Sequence, residues 1–326
     1  IKWDVQPGST THMTEFFGPL LGVIPAQDLE EAIELVHQTG YGLTAGLESL
    51  DKREQAYFKE HMRAGNLYVN RGTTGAITLR QPFGGMGKSA LGAGIKAGGP
   101  RYVTQFMDFT ETGFPKVGVL RAPHPLLHLV QEWENKLYWG QLSEFADDLK
   151  KTIRAVKSCL YHWESDFSHE QDFFNLRGQD NLLRYLPVGK VVIRVHPTDS
   201  LFDILARTAA ARITGCAVAV SLPESLNNRA VAYLRSKEGR RLLDDTSLTI
   251  DTDDDLIKML PDIDRIRFAG HDRVPGSVWS AAASMGFYIA RSPVLMNGAI
   301  ELLHYLKEQS ICDSYHRYGN LGERGL

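Results

Sequence analysis

Cysteine is scarce in this chain, and its three copies, Cys159, Cys216 and Cys312, are too scattered for a disulfide framework or a zinc site. A surplus of one charge is also lacking. The formal net charge of −3 gives no reason to expect nucleic acid or an anionic membrane as a partner. No apolar run approaches the ~18 residues of a spanning helix, and the opening IKWDVQPGST is not a signal peptide. A cytoplasmic, reducing setting is the default expectation. There is no internal repeat. The acidic run DTDDD lacks EF-hand spacing and reads as a solvated helix start, so no metal site is expected. A phosphate loop is missing as well. In RQPFGGMGKSALG the first glycine of G-x-x-x-x-G-K-[ST] falls on Pro82, which has no N–H to offer a phosphate.

The 326 residues are enough for two domains of α/β class. In the first segment, LLGVI, GLTAGLES and NLYVN read as strands. DLEEAIELVHQTG reads as a helix capped by Asp28 and Glu31, with Leu29, Ala32, Ile33 and Val36 on one face and Gly40 at its end. DKREQAYFKEHM reads as a second helix, and a Gly-rich loop runs from Gly72 to Pro100. Pro115, Pro123 and Pro125 then mark a linker, followed by two amphipathic helices. From KVVIRV onward strands alternate with helices, as in a parallel sheet with crossover helices. The expected organisation is residues 1–108, a linker with a helical hairpin over 109–180, and a Rossmann-like unit over 181–326.

Two short motifs stand in fixed order. TEFFGPLLGV contains Glu-x-Phe-Gly-Pro, and QPFGGMGKSALG contains Pro-Phe-Gly-Gly about sixty residues later. With the strand–helix alternation between them, they resemble the C-terminal part of an aldehyde dehydrogenase catalytic domain. Within that superfamily, GNLYVNRGTTGA, QPFGGMGKSALG and KAGGPRYV resemble 1-pyrroline-5-carboxylate dehydrogenases, including those of bifunctional proline utilization A. The resemblance implies an oxidoreductase of proline catabolism that uses NAD to oxidise L-glutamate 5-semialdehyde. It implies that Glu15 holds the nicotinamide ribose hydroxyls and Phe17 lies beside the nicotinamide. It also implies that Gly75 and Ala76 anchor the substrate carboxylate through backbone amides, with Phe83 against its aliphatic chain. An amide nest and a glycine suit a carboxylate. Lys88 is expected to be a surface or structural residue, not a phosphate ligand. For Gly75 and Ala76 the plain alternative is an ordinary turn; for Glu15 it is a surface carboxylate, and for Phe17 a core aromatic.

The family's nucleophilic cysteine should precede Glu15 by roughly a hundred residues, judged from the resemblance. No catalytic residue is therefore expected in this chain, and the three cysteines read as inert thiols. The chain, which begins at Ile1, is expected to be part of a longer polypeptide whose upstream domains are its partners. FAD is expected only if a proline dehydrogenase domain lies upstream, and homo-oligomerisation is left open. A truncated first segment is expected to expose edge strands and to aggregate or borrow contacts.

The last segment resembles an altered aldehyde dehydrogenase cofactor domain. The Lys-Pro that normally ends its second strand is replaced by Ser221-Leu222-Pro223. Gly270 is followed by His271, and no G-x-G-x-x-G follows KVVIRV. A non-nucleotide-binding module is expected, as in the C-terminal domain of long proline utilization A proteins. The terminal cluster Tyr315-His316-Arg317 reads as an arm docking on a neighbouring domain. The rival readings are an aldehyde dehydrogenase for another aldehyde, and a non-enzymatic scaffold or lid.

Overall fold

The computed structural model describes residues 1–243 and 247–315. Its chain order is α1 (Leu29–Gln38), β1 (Thr44–Leu47), α2 (Lys52–His61), β2 (Asn66–Val69), α3 (Pro125–Tyr138), α4 (Ala146–His162), β3 (Gln179–Pro187), β4 (Lys190–Arg194), α5 (Leu201–Ile213), β5 (Ala217–Leu222), α6 (Arg229–Arg235), α7 (Lys237–Leu243), β6 (Ser247–Ile250), α8 (Asp253–Met259), β7 (Arg265–Arg267), α9 (Gly276–Ser284), β8 (Ile289–Ala290) and β9 (Leu306–Ser314). Shorter turns of helix and strand lie between them.

Local signals account for the helix starts. Asp28 caps α1 by accepting from Glu31 N, while the Glu31 carboxylate takes Gln27 N rather than the cap's own N–H. Ser200 and Asp203 form a complete capping box on α5, and Thr252 and Asp255 do so on α8. The acidic run is thus a helix start. The buried face of α1 is rotated from the expected one: Ile33 and Leu35 are buried, whereas Val36 is 43% exposed. Among the described residues LLGVI forms only a single bridge, Lys2 to Gly22.

Two five-stranded sheets organise the molecule. The parallel sheet has the order β8–β7–β4–β5–β6. Its chain winds outward from β4 to β6, then returns to the other side of β4, which puts a topological switch point between β4 and β7. Helices α3, α4 and α5 cover it, with Trp133, Leu149, Val156, Ile193 and Leu205 in one continuous core. This is the α/β class expected.

The second sheet joins the two ends of the chain. Its order is β1–β2–β9–β3, with Gln171–Asp172 beyond β3. The last strand, β9, pairs parallel with β2 and antiparallel with β3. Residues 306–314 are therefore an interior strand and not a docking arm held by aromatic and arginine contacts; the edge of β2 is closed by main-chain bonds. His316 and Arg317 lie outside the described residues. β9 gives the first segment a main-chain partner along the edge of β2. Similarly, β3, which spans the expected boundary at residue 181, belongs to this sheet and not to the parallel one.

Ile311 on β9 is 1% exposed and packs with Ile33, Phe58, Leu67 and Val69 of the first segment. Ile311→Ala is expected to destabilise the chain by about 3 kcal/mol, the usual cost of a buried large-to-small change. The denaturant midpoint measures it; a loss under about 0.5 kcal/mol, the size typical of a surface change, would mean that the first segment does not depend on this strand.

Candidate functional site

Glu15 and Phe17 lie on an irregular segment after the single helical turn Thr10–Met13. Phe17 has φ +46, rare for a residue with a Cβ, and its ring is 93% exposed. Both residues line an open cleft of about 300 Å³, with Thr11, Thr14 and Gly18. The Phe17 ring packs into no core formed by the described residues. Gly75, Ala76 and Phe83 do not line this cleft, so the two expected contact regions are separate surfaces.

Gly75 has φ +109, where a side chain would be strained. Gly75 and Ala76 are exposed, and among the described residues neither N–H has a hydrogen-bond partner. Two successive free amides are what an anion nest requires. Phe83, half-buried, is fixed by paired main-chain bonds with Ala97 of 2.9 and 3.1 Å. The GGMGKS stretch is no phosphate loop. Met86–Gly87 pairs antiparallel with Tyr41–Gly42, Ser89 Oγ accepts from Gly42 N, and Lys88 Nζ donates to Thr39 O at 3.0 Å. Lys88 is thus an exposed residue tied to the backbone of Thr39.

Sequence reasoning missed Lys96. It is 2% exposed, and its ammonium donates to Gly84 O and, at 3.1 Å, to Asn66 Oδ1. Asn66 Nδ2 in turn donates to Pro82 O. Lys96 thus ties the Pro-Phe-Gly-Gly turn to the start of β2. Its backbone N–H donates at 2.6 Å to Glu308 on β9. Burial lowers Lys96 to about 7 and raises Glu308 to about 7. The one sequence signal was a lysine set among small residues in AGIKAGG, where no neighbour supplies a polar surface.

The cysteines are buried. Cys159 lies on α4, Cys216 just before β5 rather than in it, and Cys312 on β9. Burial pushes the thiols of Cys159 and Cys312 upward, away from nucleophilic thiolate character. Among the described residues no group of His, Cys, Asp and Glu could hold a metal ion.

The switch point of the parallel sheet is filled from within. Arg207, fully buried on α5, donates at 2.9 Å to both Arg194 O and Arg267 O, the last carbonyls of β4 and β7. Its other nitrogen meets Asp199 Oδ2 at 2.5 Å, and Arg273 meets Asp199 Oδ1 at 2.6 Å. Three amides at the start of α5 are also taken: Ser200 N by Asp203, Leu201 N by Asp148, and Asp203 N by Ser200 Oγ. A phosphate at this helix end would meet carboxylates instead of free N–H groups.

Residues 1–112 match the model of the aldehyde dehydrogenase family. A 1-pyrroline-5-carboxylate dehydrogenase from a Geobacillus species is 41% identical over 104 residues, covering 32% of this chain and 20% of that protein. The bifunctional protein PutA of Rhizobium meliloti is 47% identical over 91 residues, covering 27% of this chain and 7% of that protein. A solved structure of proline utilization A from Corynebacterium freiburgense superposes with a TM-score of 0.72 at 34% identity, covering 97% of this chain and 27% of that one. The resemblance read from the motifs therefore holds: the chain is similar to proline utilization A almost throughout, and its first third matches the aldehyde dehydrogenase family. It spans about a fifth of the first of these relatives. No helix among the described residues is long and apolar enough to cross a membrane.

The Lys96–Glu308 pair makes stability depend on pH. Lys96 favours folding above its ordinary 10.5, and that contribution is lost as pH falls to about 7. Glu308 favours folding below its ordinary 4.5, and that contribution is lost as pH rises to about 7. Both penalties overlap near neutrality. Relative to the double variant Lys96→Met, Glu308→Gln, the unsubstituted chain is expected to be least stable near pH 7. Melting temperatures at acid, neutral and alkaline pH measure this; a pH-independent difference would refute it.

Proposed function

We propose that this chain is part of an NAD-dependent dehydrogenase that oxidises L-glutamate 5-semialdehyde to glutamate in proline catabolism. The observation that carries the reading is the pair of unpartnered amides at Gly75 and Ala76, exposed on a loop within the aldehyde dehydrogenase segment. The substrate's distal carboxylate would accept both N–H groups, and the half-buried Phe83 ring offers an apolar wall for its methylene chain. Neutral aldehydes have nothing to give such a nest, which favours this substrate class over other aldehydes. Similarity to proline utilization A over most of the chain supports the same assignment.

For NAD, the open cleft at Glu15 and Phe17 fits the nicotinamide riboside end. A carboxylate with free lone pairs suits a ribose diol, and an exposed ring suits a flat heterocycle. NAD would supply the hydride acceptor; Glu15 and Phe17 would hold and orient it. The thiolate nucleophile comes from outside this chain, since its own cysteines are buried. We assign the parallel-sheet unit no nucleotide, because Arg207 and Asp199 occupy its switch point. FAD chemistry and proline oxidation would belong to other parts of the polypeptide, and a cytoplasmic location accords with the absence of a spanning helix among the described residues.

The test uses the complete encoded polypeptide. NADH absorbance is followed with glutamate semialdehyde and with propanal. We expect kcat/KM to favour the semialdehyde by a factor on the order of 10⁴, as for a site built to hydrogen-bond a polar group that the other substrate lacks. Equal values would sink the substrate assignment while leaving the dehydrogenase assignment standing. Glu15→Gln is expected to raise KM for NAD about tenfold, the effect of losing one charge-assisted hydrogen bond.

A further inference from the structure

We infer that Tyr68, Arg71, Gln81 and Cys312 are positioning residues that aim the Gly75 and Ala76 amides outward, and that the C-terminal strand β9 is therefore a working part of the substrate loop. This inference rests on the proposed carboxylate nest.

The geometry lies on the far side of the same two peptides. Tyr68 Oη donates to Gly75 O at 2.8 Å, and Arg71 Nη2 donates to Thr74 O at 3.1 Å. Gln81, in the orientation that satisfies both ends of its amide, donates to Gly75 O at 3.2 Å and accepts from Arg71 Nη1 at 2.8 Å. Both peptides are trans. Across a trans peptide the N–H points opposite to the C=O. Donors that pin Thr74 O and Gly75 O inward therefore fix Gly75 N–H and Ala76 N–H in the outward direction. The loop could not hold this arrangement alone, because its glycine at φ +109 gives it many other conformations.

What fixes the donors comes from β9. Tyr68, 1% exposed, is the register partner of Cys312 in the β2–β9 ladder. Arg71 Nη1 also donates to Cys312 Sγ at 2.9 Å, and the guanidinium lies 5.4 Å from the Tyr68 ring centroid. Cys312 is 2% exposed, and burial raises its thiol, so it acts as a small acceptor that the half-buried Arg71 guanidinium can face. A residue 241 positions away in sequence thus orients the side chain that braces the loop.

The experiment separates orientation from folding. Backbone order parameters at Gly75 and Ala76 are measured by ¹⁵N relaxation in the 326-residue chain, with amides of α4 as the folding control. In the double variant Tyr68→Phe, Cys312→Val we expect the loop values to fall from about 0.85 to below about 0.6 while α4 is unchanged. Cys312→Ser, which keeps an acceptor, should retain the rigid values. Unchanged order in the double variant with α4 intact would overturn the inference. In the complete polypeptide, the double variant should raise KM for glutamate semialdehyde about tenfold with kcat within about twofold, and leave propanal unaffected. An equal loss for both aldehydes would also overturn it, since that marks a general structural defect. If the unsubstituted enzyme shows no preference for the semialdehyde, the substrate assignment fails, while the order parameters still decide the brace.

Discussion

Everything in this structure turns on one interior strand. β9 is bonded on both sides, to β2 from the first segment and to β3 from the linker region. It carries buried polar side chains, and each reaches across to the first segment. Gln309 Nε2 donates to Met62 O and Ala64 O, Ser310 Oγ to Pro82 O, and Asp313 receives Lys59 at 2.7 Å. Glu308 takes the Lys96 amide. An irregular Gly-rich loop leaves many carbonyls and amides needing partners, and burying them unpaired costs on the order of 1–3 kcal/mol each. The polar content of β9 is the set of partners that lets the loop pack against a sheet. The close approach is visible at Gly65, where any Cβ would collide with the Gly84 carbonyl.

The parallel sheet has the topology of a nucleotide-binding fold and uses its switch point differently. In such folds the crevice beyond the central strands is where two loops diverge and helix amides are free. Here the guanidinium of Arg207 bridges the two strand ends, and Asp199 neutralises it together with Arg273. The cost of burying these charges is offset only because nearly every donor has a partner. A ligand phosphate would have to break that set. The arrangement converts a binding crevice into an internal strut, in keeping with a module whose contribution is to hold β9 in place.

Much of this was legible in the sequence and some was not, for reasons of range. Helices α1 to α5 announce themselves through local signals: Asp28, Asp51 and Ser200 as caps, apolar spacing on one face, and glycine at the ends. Strands β4 and β5 of the parallel sheet are short, largely apolar runs between such helices. The Glu-x-Phe-Gly-Pro and Pro-Phe-Gly-Gly motifs located the candidate contacts with the substrate and the cofactor. β9 escaped notice because LKEQSICDS reads as polar and its partner β2 is about 240 residues away, so no local pattern marks it as an interior strand. Lys96 escaped for the same reason: its fate depends on Gly84 and Asn66, which folding alone brings to it. The rotated face of α1 reflects tertiary packing overriding a local periodicity that placed Val36 on the inner face.

That contrast bears on how binding could be divided between distant parts of one chain. The residues read as touching substrate are Gly75, Ala76 and Phe83, all within a single loop region. Two of them act through backbone atoms, which any sequence possesses. On the proposed reading, direction is what would make those atoms selective, and direction is imposed by side chains on the opposite face of the same peptides. One of those side chains is oriented by Cys312, on a strand contributed by the far end of the chain. On this reading the C-terminal unit needs no chemistry of its own to matter for substrate choice. It supplies a rigid edge, and the loop's amides are aimed because that edge does not move.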